Sequence, residues 1–534
     1  MLVKRILPIS LAIAMMTAAC VPASAQQDNV SAAAVSTTDI STVKMQQSAV
    51  LTFTNSSITE TQAGRGYSID GTELTITANG TYRLKGSCSN GSIVVSKELT
   101  DVTLVLDSLL LSSSDTAPIV IKKSSSVNIH LEGRSTLTDN EDAGSESTSD
   151  TFEGAAIKLK SGSKVTFCGD GDLIIAANAK NGIKGASCAQ LVFNQTGTLT
   201  VSGNGKYYAG TKTGAAVQNG ISCDGSIIFN QGSYVIKAAG DGIKSAPDVT
   251  DTAEGTTIDT ESAGTVTINA GTFDIDTDGD GISADTALTI NGGTFDIQTY
   301  KGSSTWNNTL AASNSCKGLK ASGDRAEEAN IEPTITVSGG TFILNTADDA
   351  LHSDGNAVIT GGTFTISTGD DGMHADKTLT LGTQNGLERD PDITINKSYE
   401  GFEGENVYIY SGRFYVVASD DGVNAAGGSS NGSQQGGGGG HDFRPGGRPG
   451  GQTGGGQQGA AGNYNISIYG GDLYVNCDGD GIDSNGGIYL YGGRQAVFSM
   501  KAGGDNSAID ADTTVLIQGA TVFTAGTKGV DGTV

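Results

Sequence analysis

A short cassette returns again and again from residue 265 to the end of the chain: a β-pattern run closing on Gly-Gly-Thr-Phe or a variant, then Asp-Gly and one apolar residue. Nothing else in the sequence constrains the fold as strongly. A unit repeated at this spacing cannot bury its own apolar face, so it dictates a stack of similar turns, each covering the next.

The first half of the cassette reads TVTINAGTF at 265–273, LTINGGTF at 288–295, TITVSGGTF at 334–342, AVITGGTF at 357–364, VYIYSGRF at 407–414, ISIYGGDL at 466–473 and IYLYGGR at 488–494. The second half reads Asp241-Gly242-Ile243, Asp280-Gly281-Ile282, Asp371-Gly372-Met373, Asp421-Gly422-Val423 and Asp480-Gly481-Ile482, with variants at Asn181, Lys317, Asp349-Ala350, Glu400, Ser507-Ala508 and Lys528. Steps of 22 residues (349 to 371) and 21 residues (400 to 421, 507 to 528) set the length of one turn.

Apolar alternation marks strands from Ile69 onward, as in VTLVL at 102–106 and VNIHL at 127–131, and Gly or Asp interrupts too often for a helix. Short strands at this period predict an all-β fold, a parallel β-helix (β-solenoid) with about three strands per turn and loop insertions. A propeller blade would need about twice the length. With only 6% aromatic residues and 78 Gly, the 534-residue chain suits the thin core of a stack better than one large core.

Residues 1–25 read as a secretory signal, with Lys4 and Arg5, an apolar run too short to span a membrane, and Ala23-Ser24-Ala25 before cleavage. Secretion is expected, with lipoprotein anchoring at Cys20 the lesser alternative. Residues 26–68 read as a flexible lead-in or cap and 69–534 as the β-helix, interrupted by insertions near 139–153 and 300–332 and by a Gly-rich, disordered one at 427–462. The remaining cysteines lack CxxC spacing and are read as small buried hydrophobes. A net charge of -26 excludes nucleic acid as a partner. The expectation is a monomer without a membrane span.

In such a stack, residues at one offset lie above one another about 4.8 Å apart, so offsets become columns. One column precedes the recurring Gly: Asp241, Asp280, Asp349, Asp371, Glu400, Asp421 and Asp480. A second, three residues on, holds Glu403, Asn424, Asp483, Asp510 and Asp531, and Asp278, Asp348, Asp370, Asp420 and Asp478 thicken the cluster. Stacked carboxylates repel and call for a counter-ion, and an all-oxygen set suits Ca2+. The plainer alternative is that each Asp bonds its own backbone in a tight turn. DTDGDG at 276–281 resembles the start of an EF-hand loop, but its twelfth position is Ala287 and no helices flank it.

The offset of Glu403 carries Lys158, Lys184, Lys244 and Lys320 in earlier turns and His352 and His374 between. The lysines are read as ion pairs across turns, or else, with Lys244 and Lys320, as part of a strip that holds an acidic polymer. The imidazoles are read as solvated, with a transition-metal site as the alternative. A third column runs Asn230, Asn269, Asn291, Ser338, Thr360, then Tyr410, Tyr469 and Tyr491, with Tyr408 and Tyr489 beside it. Exposed tyrosines in a row are candidates for stacking on sugar rings.

Together GTYRLKGS (80–87), VTLVLD (102–107), GDGIKS (240–245), GDGISA (279–284), YEGFEG (399–404), SDDGVNA (419–425) and GDGIDSNG (479–486) resemble a family of secreted bacterial carbohydrate-binding β-helix proteins, first described from cellulolytic clostridia. The resemblance implies a right-handed parallel β-helix related in fold to calcium-dependent polysaccharide lyases, with calcium and plant cell-wall polymers, cellulose or pectic acid sugars, as ligands. The copies at Asn181, Lys317, Ala350 and Ser507-Ala508 depart from the Asp-Gly pair. The expected function is non-catalytic, calcium-dependent polysaccharide binding. Its alternatives are a pectate-lyase-like eliminase, with Lys244, Lys320, Arg389 or Arg413 as base, and a surface spacer or adhesin.

Overall fold

In the computed structural model the described residues are 47–146, 148–203, 218–247, 250–252, 255–257, 264–305, 315–323, 331–386, 390–426, 464–500 and 506–533. All belong to one compact unit, Gln46–Val534. The signal segment, Cys20, Arg389 and the Gly-rich insertion at 427–462 lie outside the described residues.

Strands dominate, and the one helical element among the described residues is a 3-10 turn, Ala143–Ser145. A typical winding supplies three strands, two of which run together in Met373–Leu381, Phe402–Ile409 and Ser507–Ile517. Thr265–Ile268, Thr272–Thr277 and Ile282–Ala284 pair in parallel with Ala287–Ile290, Thr294–Thr299 and Leu319–Ala321. Those in turn pair with Thr334–Val337, Thr341–Thr346 and Leu351–Ser353. The pairing is in register, so equivalent cassette positions stand directly over one another. Among the described residues the first strand is Gln47–Phe53, ahead of Ile69, and it pairs in parallel with Gly80–Cys88. Its Ala49, Leu51 and Phe53 fill inward positions, a three-residue alternation with no cassette behind it.

The core is built from the apolar member of each alternation. Phe273, Phe295, Phe342 and Phe364, from the Thr-Phe step, stack with ring centroids 4.9, 4.6 and 4.3 Å apart. Burying one such ring contributes about 1.5–3 kcal/mol, and ring-ring contact about 0.5–1.5 kcal/mol more. The Gly before Thr-Phe is fixed by its backbone: Gly293 and Gly340 have φ of 124° and 119°, where a side chain is strained. The Gly of Asp-Gly is fixed by space, since a Cβ on Gly281 would lie 2.6 Å from the Gly318 carbonyl oxygen of the next winding.

Polar columns line the outside of the same windings. Asn230, Asn269 and Asn291 form a side-chain ladder in which each amide donates to the one below, at 2.7 and 2.8 Å. Cys88, Cys168, Cys223, Cys316 and Cys477 are buried free thiols, whereas Cys188 is exposed. Among the described residues no helix is long and apolar enough to cross a membrane.

Candidate cation and glycan sites

The residue before the recurring Gly sits in a turn between strands, where its backbone N–H needs a partner. The carboxylate of the winding below supplies it. Asp241 Oδ1 accepts from the Asp280 amide at 2.9 Å, Asp349 Oδ1 from Asp371 at 3.0 Å, and Asp371 Oδ1 from Glu400 at 3.0 Å. Asp421 serves Asp480 in the same way at 2.6 Å. The aspartates therefore do not cap their own turns, as the plainer sequence reading had it, but tie one winding to the next. The second oxygen is left for other work.

The column three residues on changes chemistry along the stack. Its register runs Lys244, Ser283, Lys320, His352, His374, Glu403, Asn424, Asp483, Asp510 and Asp531. In the early windings the lysines supply the counter-charge: Lys244 Nζ lies 2.9 Å from Asp241 Oδ2 and Lys320 Nζ 3.2 Å from Asp280 Oδ2. Both ammonium groups are thus engaged within the column, which agrees with the reading of the lysines as ion pairs.

At the winding where Lys317 replaces the aspartate, its Nζ lies 3.0 Å from Asp348 Oδ1 and 2.5 Å from Asp349 Oδ2. Burial alone would lower its pKa, but Asp348 and Asp349 outweigh burial and hold it well above the usual lysine value. This ammonium supplies the counter-charge for both carboxylates. Asp278, Asp348, Asp370, Asp420 and Asp478 do not form one row. Counted back from the strands that start at Ile282, Leu351, Met373, Val423 and Ile482, Asp278 and Asp478 stand one position earlier than the other three. Asp278 and Asp348 are buried and Asp478 is exposed.

The imidazoles are not solvated, which corrects the sequence reading: His352 and His374 side chains are 14% and 17% exposed. His352 lies between Asp349 (Nδ1 to Oδ2, 2.8 Å) and Asp354 (Nε2 to Oδ1, 3.0 Å). His374 lies between Glu403 (Nδ1 to Oε2, 3.0 Å) and Asp376 (Nε2 to Oδ1, 3.2 Å).

From Glu400 to Asp510 the described columns contain oxygen ligands without a lysine or histidine. Burial, then the neighbouring Glu403, Asp371 and Asp421, push Glu400 well above the usual carboxylate range. Burial and then Asp420 push Asp421 up to about 7. Burial and then Asp421, Asp480 and Asp510 push Asp483 up to about 8. Carboxylate oxygens of Asp480, Asp483 and Asp510 lie within 4.8 Å of one another. Asn424, between Glu403 and Asp483 in the column, is 5% exposed; its amide donates to Glu400 Oε2 at 2.9 Å, while its carbonyl oxygen is buried without a hydrogen-bond partner. Crowded carboxylates beside an orphaned amide oxygen fit a hard cation with oxygen ligands.

Tyr410, Tyr469 and Tyr491 form one stack, with centroids 4.9 and 5.2 Å apart and interplanar angles of 10° and 21°. Tyr408 and Tyr489 flank it but do not adjoin, since Ser467 stands between them in register. Rings packed face to face cover one another, so Tyr469 presents its edge and hydroxyl and not a platform.

A second aromatic column, which the sequence reading missed, lies on the other side of the Gly-Gly turn. Its register is Tyr415, Tyr474, Ala496 and Phe523. Tyr415 and Tyr474 stack at 4.8 Å; Ala496 interrupts the register, and Phe498, two residues on in the same strand, carries tilted ring contacts from Tyr474 (5.2 Å) to Phe523 (5.7 Å). The recess over Ala496 belongs to a cavity of about 450 Å3 lined by Tyr474, Phe523, Arg413, Asp472 and Arg494. The arginines at its margin are held by ion pairs, Arg413 Nε donating to Asp392 Oδ1 at 3.0 Å and Arg494 Nε to Asp472 Oδ1 at 2.6 Å, and the surface that faces the cavity is almost entirely apolar.

A family model described as carbohydrate-binding domain-containing protein matches residues 70–372, more than half of the chain. The chain belongs to the carbohydrate-binding domain-containing protein family. The matched span includes the lysine windings and His352 and ends ahead of His374 and the oxygen-only windings. A family relative of the same description from Acetivibrio thermocellus is 35% identical over 122 residues, 22% of this chain and 42% of the relative, so the match spans less than half of that protein. A solved structure described as the polysaccharide lyase-like protein from C. thermocellum, gadolinium derivative, is 20% identical, with a TM-score of 0.36, over 62% of this chain and 96% of that one.

Proposed function

We propose that this protein is a non-catalytic polysaccharide-binding module built on a right-handed parallel β-helix, with cellulose or pectic acid sugars as its ligand class. The observation that carries this reading is the recess over Ala496. Tyr474 stacks on Tyr415 on one side and meets the tilted Phe498 ring of the next winding at 5.2 Å, and its exposed part bounds the same cavity as Phe523, Arg494 and Asp472. An apolar aromatic recess matches the C–H face of a pyranose, and the ion-paired arginines at its margin can meet the hydroxyls of the rim.

Calcium is the cofactor of this reading. Glu400, Glu403, Asp421, Asn424, Asp480, Asp483 and Asp510 would hold it, and bound calcium supplies positive charge that a uronate carboxylate can share. The chain's own residues orient the ring and hold the arginines at the margin of the recess. Pull-down on cellulose and on polygalacturonate, each with calcium and with chelator, tests the proposal. Binding to at least one polymer supports it, chelator sensitivity on polygalacturonate supports the calcium component, and failure to bind either polymer in calcium rejects it.

A further inference from the structure

We propose that His352 and His374, with Asp371 and Glu403, form a site for a divalent transition metal of the zinc, cobalt and nickel class, distinct from the all-oxygen cation site. The two histidines are outward neighbours in register on adjacent windings, their ring centroids 4.8 Å apart. Single ligand atoms of Asp371, His374 and Glu403 lie within 4.8 Å of one another, and so do those of Asp349, His352 and His374, which makes His374 common to both sets.

The orientation of the rings is what separates this cluster from a chance meeting of charges. Each Nε2 is held by a carboxylate outside the cluster, Asp354 at 3.0 Å for His352 and Asp376 at 3.2 Å for His374. Each Nδ1 is thereby turned inward, the carboxylate–histidine–metal arrangement in which an outer carboxylate fixes the ring and raises its basicity as a ligand. His374 Nδ1 lies 3.0 Å from Glu403 Oε2 and 3.4 Å from Asp371 Oδ2. Ligands about 2.1 Å from a tetrahedral metal stand about 3.4 Å from each other, so these separations suit one shared ion. His352 Nδ1 is buried and lies 2.8 Å from Asp349 Oδ2 without making a hydrogen bond. Asp349 is already committed to Lys317, which leaves Asp371 and Glu403 as the anionic ligands.

Imidazole nitrogen selects zinc-class ions over calcium, which takes oxygen. The inference is independent of glycan binding and of the calcium reading. Its test is a Co(II) titration of the full chain, followed by visible absorption in the presence of excess calcium. The expected result is one tightly bound Co(II) with a d–d spectrum of nitrogen and oxygen ligation that calcium does not displace. It disappears in H374A and in H374E, the latter reproducing the residue found one winding on, and survives in D483N. D376N weakens Co(II) by roughly 10–100-fold while leaving all four ligands in place. A Co(II) spectrum unchanged in H374E, displacement by calcium, or no Co(II) bound by the unsubstituted chain overturns the site. Loss of calcium binding in D483N with the Co(II) signal intact separates failure of the oxygen site from failure of this one.

Discussion

The carboxylate of Asp349 accepts the backbone N–H of Asp371, one winding further on, at 3.0 Å, while its other oxygen meets the Lys317 ammonium at 2.5 Å. One side chain thus ties two windings together and neutralises a buried cation. Burial would raise its pKa, but Lys317 and then His352 pull it below the usual carboxylate range.

Asp349→Ala removes both functions and leaves a buried ammonium and a buried amide without this partner. Breaking such a pair costs about 3–5 kcal/mol. Asp349→Asn keeps an acceptor for the Asp371 amide and is expected to lose less. Urea unfolding midpoints should fall in the order unsubstituted chain, Asn, Ala; equal midpoints for the two variants would show that the amide bond contributes nothing.

The oxygen-only windings predict an inverted pH dependence in chelator. Asp421 and Asp483 have folded-state values of about 7 and 8, above their ordinary values, and face Asp420, Asp480, Asp510 and Asp512. A raised carboxylate binds more protons folded than unfolded, so its contribution is complete below the unfolded pKa and is lost as pH rises through the folded one. Thermal stability in chelator should therefore fall between about pH 5 and pH 8, and calcium should flatten or reverse the fall by replacing the protons. Melting temperatures across that range, with and without calcium, check this; a chelator curve that rises with pH would contradict it.

The recess predicts which aromatic residues matter for glycan binding. Tyr474→Ala should weaken polymer binding by roughly 2- to 13-fold, corresponding to about 0.5–1.5 kcal/mol for a ring contact. Ala496→Tyr, which fills the recess and extends the outward column, should abolish binding and leave the circular dichroism spectrum unchanged. Tyr469→Ala, within a closed stack, should have a smaller effect. Affinity electrophoresis in the polymer gel ranks the three, and an effect confined to Tyr469 would move the site to the other side of the turn.

Much of this was legible before any coordinates, because in-register parallel winding converts sequence offset into vertical position. The Lys320, His352, His374, Glu403 and Asn424 column could be read by counting. What counting could not supply was direction and enclosure. Which backbone N–H the Asp349 carboxylate meets depends on turn geometry, and the enclosure of His352 and His374 depends on flanking carboxylates that approach from Asp354 and Asp376. Tyr474 was missed because it lies past the Gly-Gly step, in a strand whose earlier copies carry Asp274, Asp296 and Thr365 at that position. The signal was present in the alternation of Tyr415, Tyr474 and Phe523 with buried Phe414 and Leu473, and in the small Ala496 that breaks it. The tyrosines that were chosen, Tyr410, Tyr469 and Tyr491, form a true column, but a column of rings hides its own faces.

The most direct measurement is a crystal structure of the chain soaked in calcium, with the ions located by anomalous scattering. Peaks are expected beside Glu403, Asn424, Asp483 and Asp510, where the columns carry oxygen alone, and none beside Asp241 or Asp280, where Lys244 and Lys320 already supply the charge. Peaks confined to the lysine windings, or a soaked crystal without calcium at Asp483, would contradict this expectation.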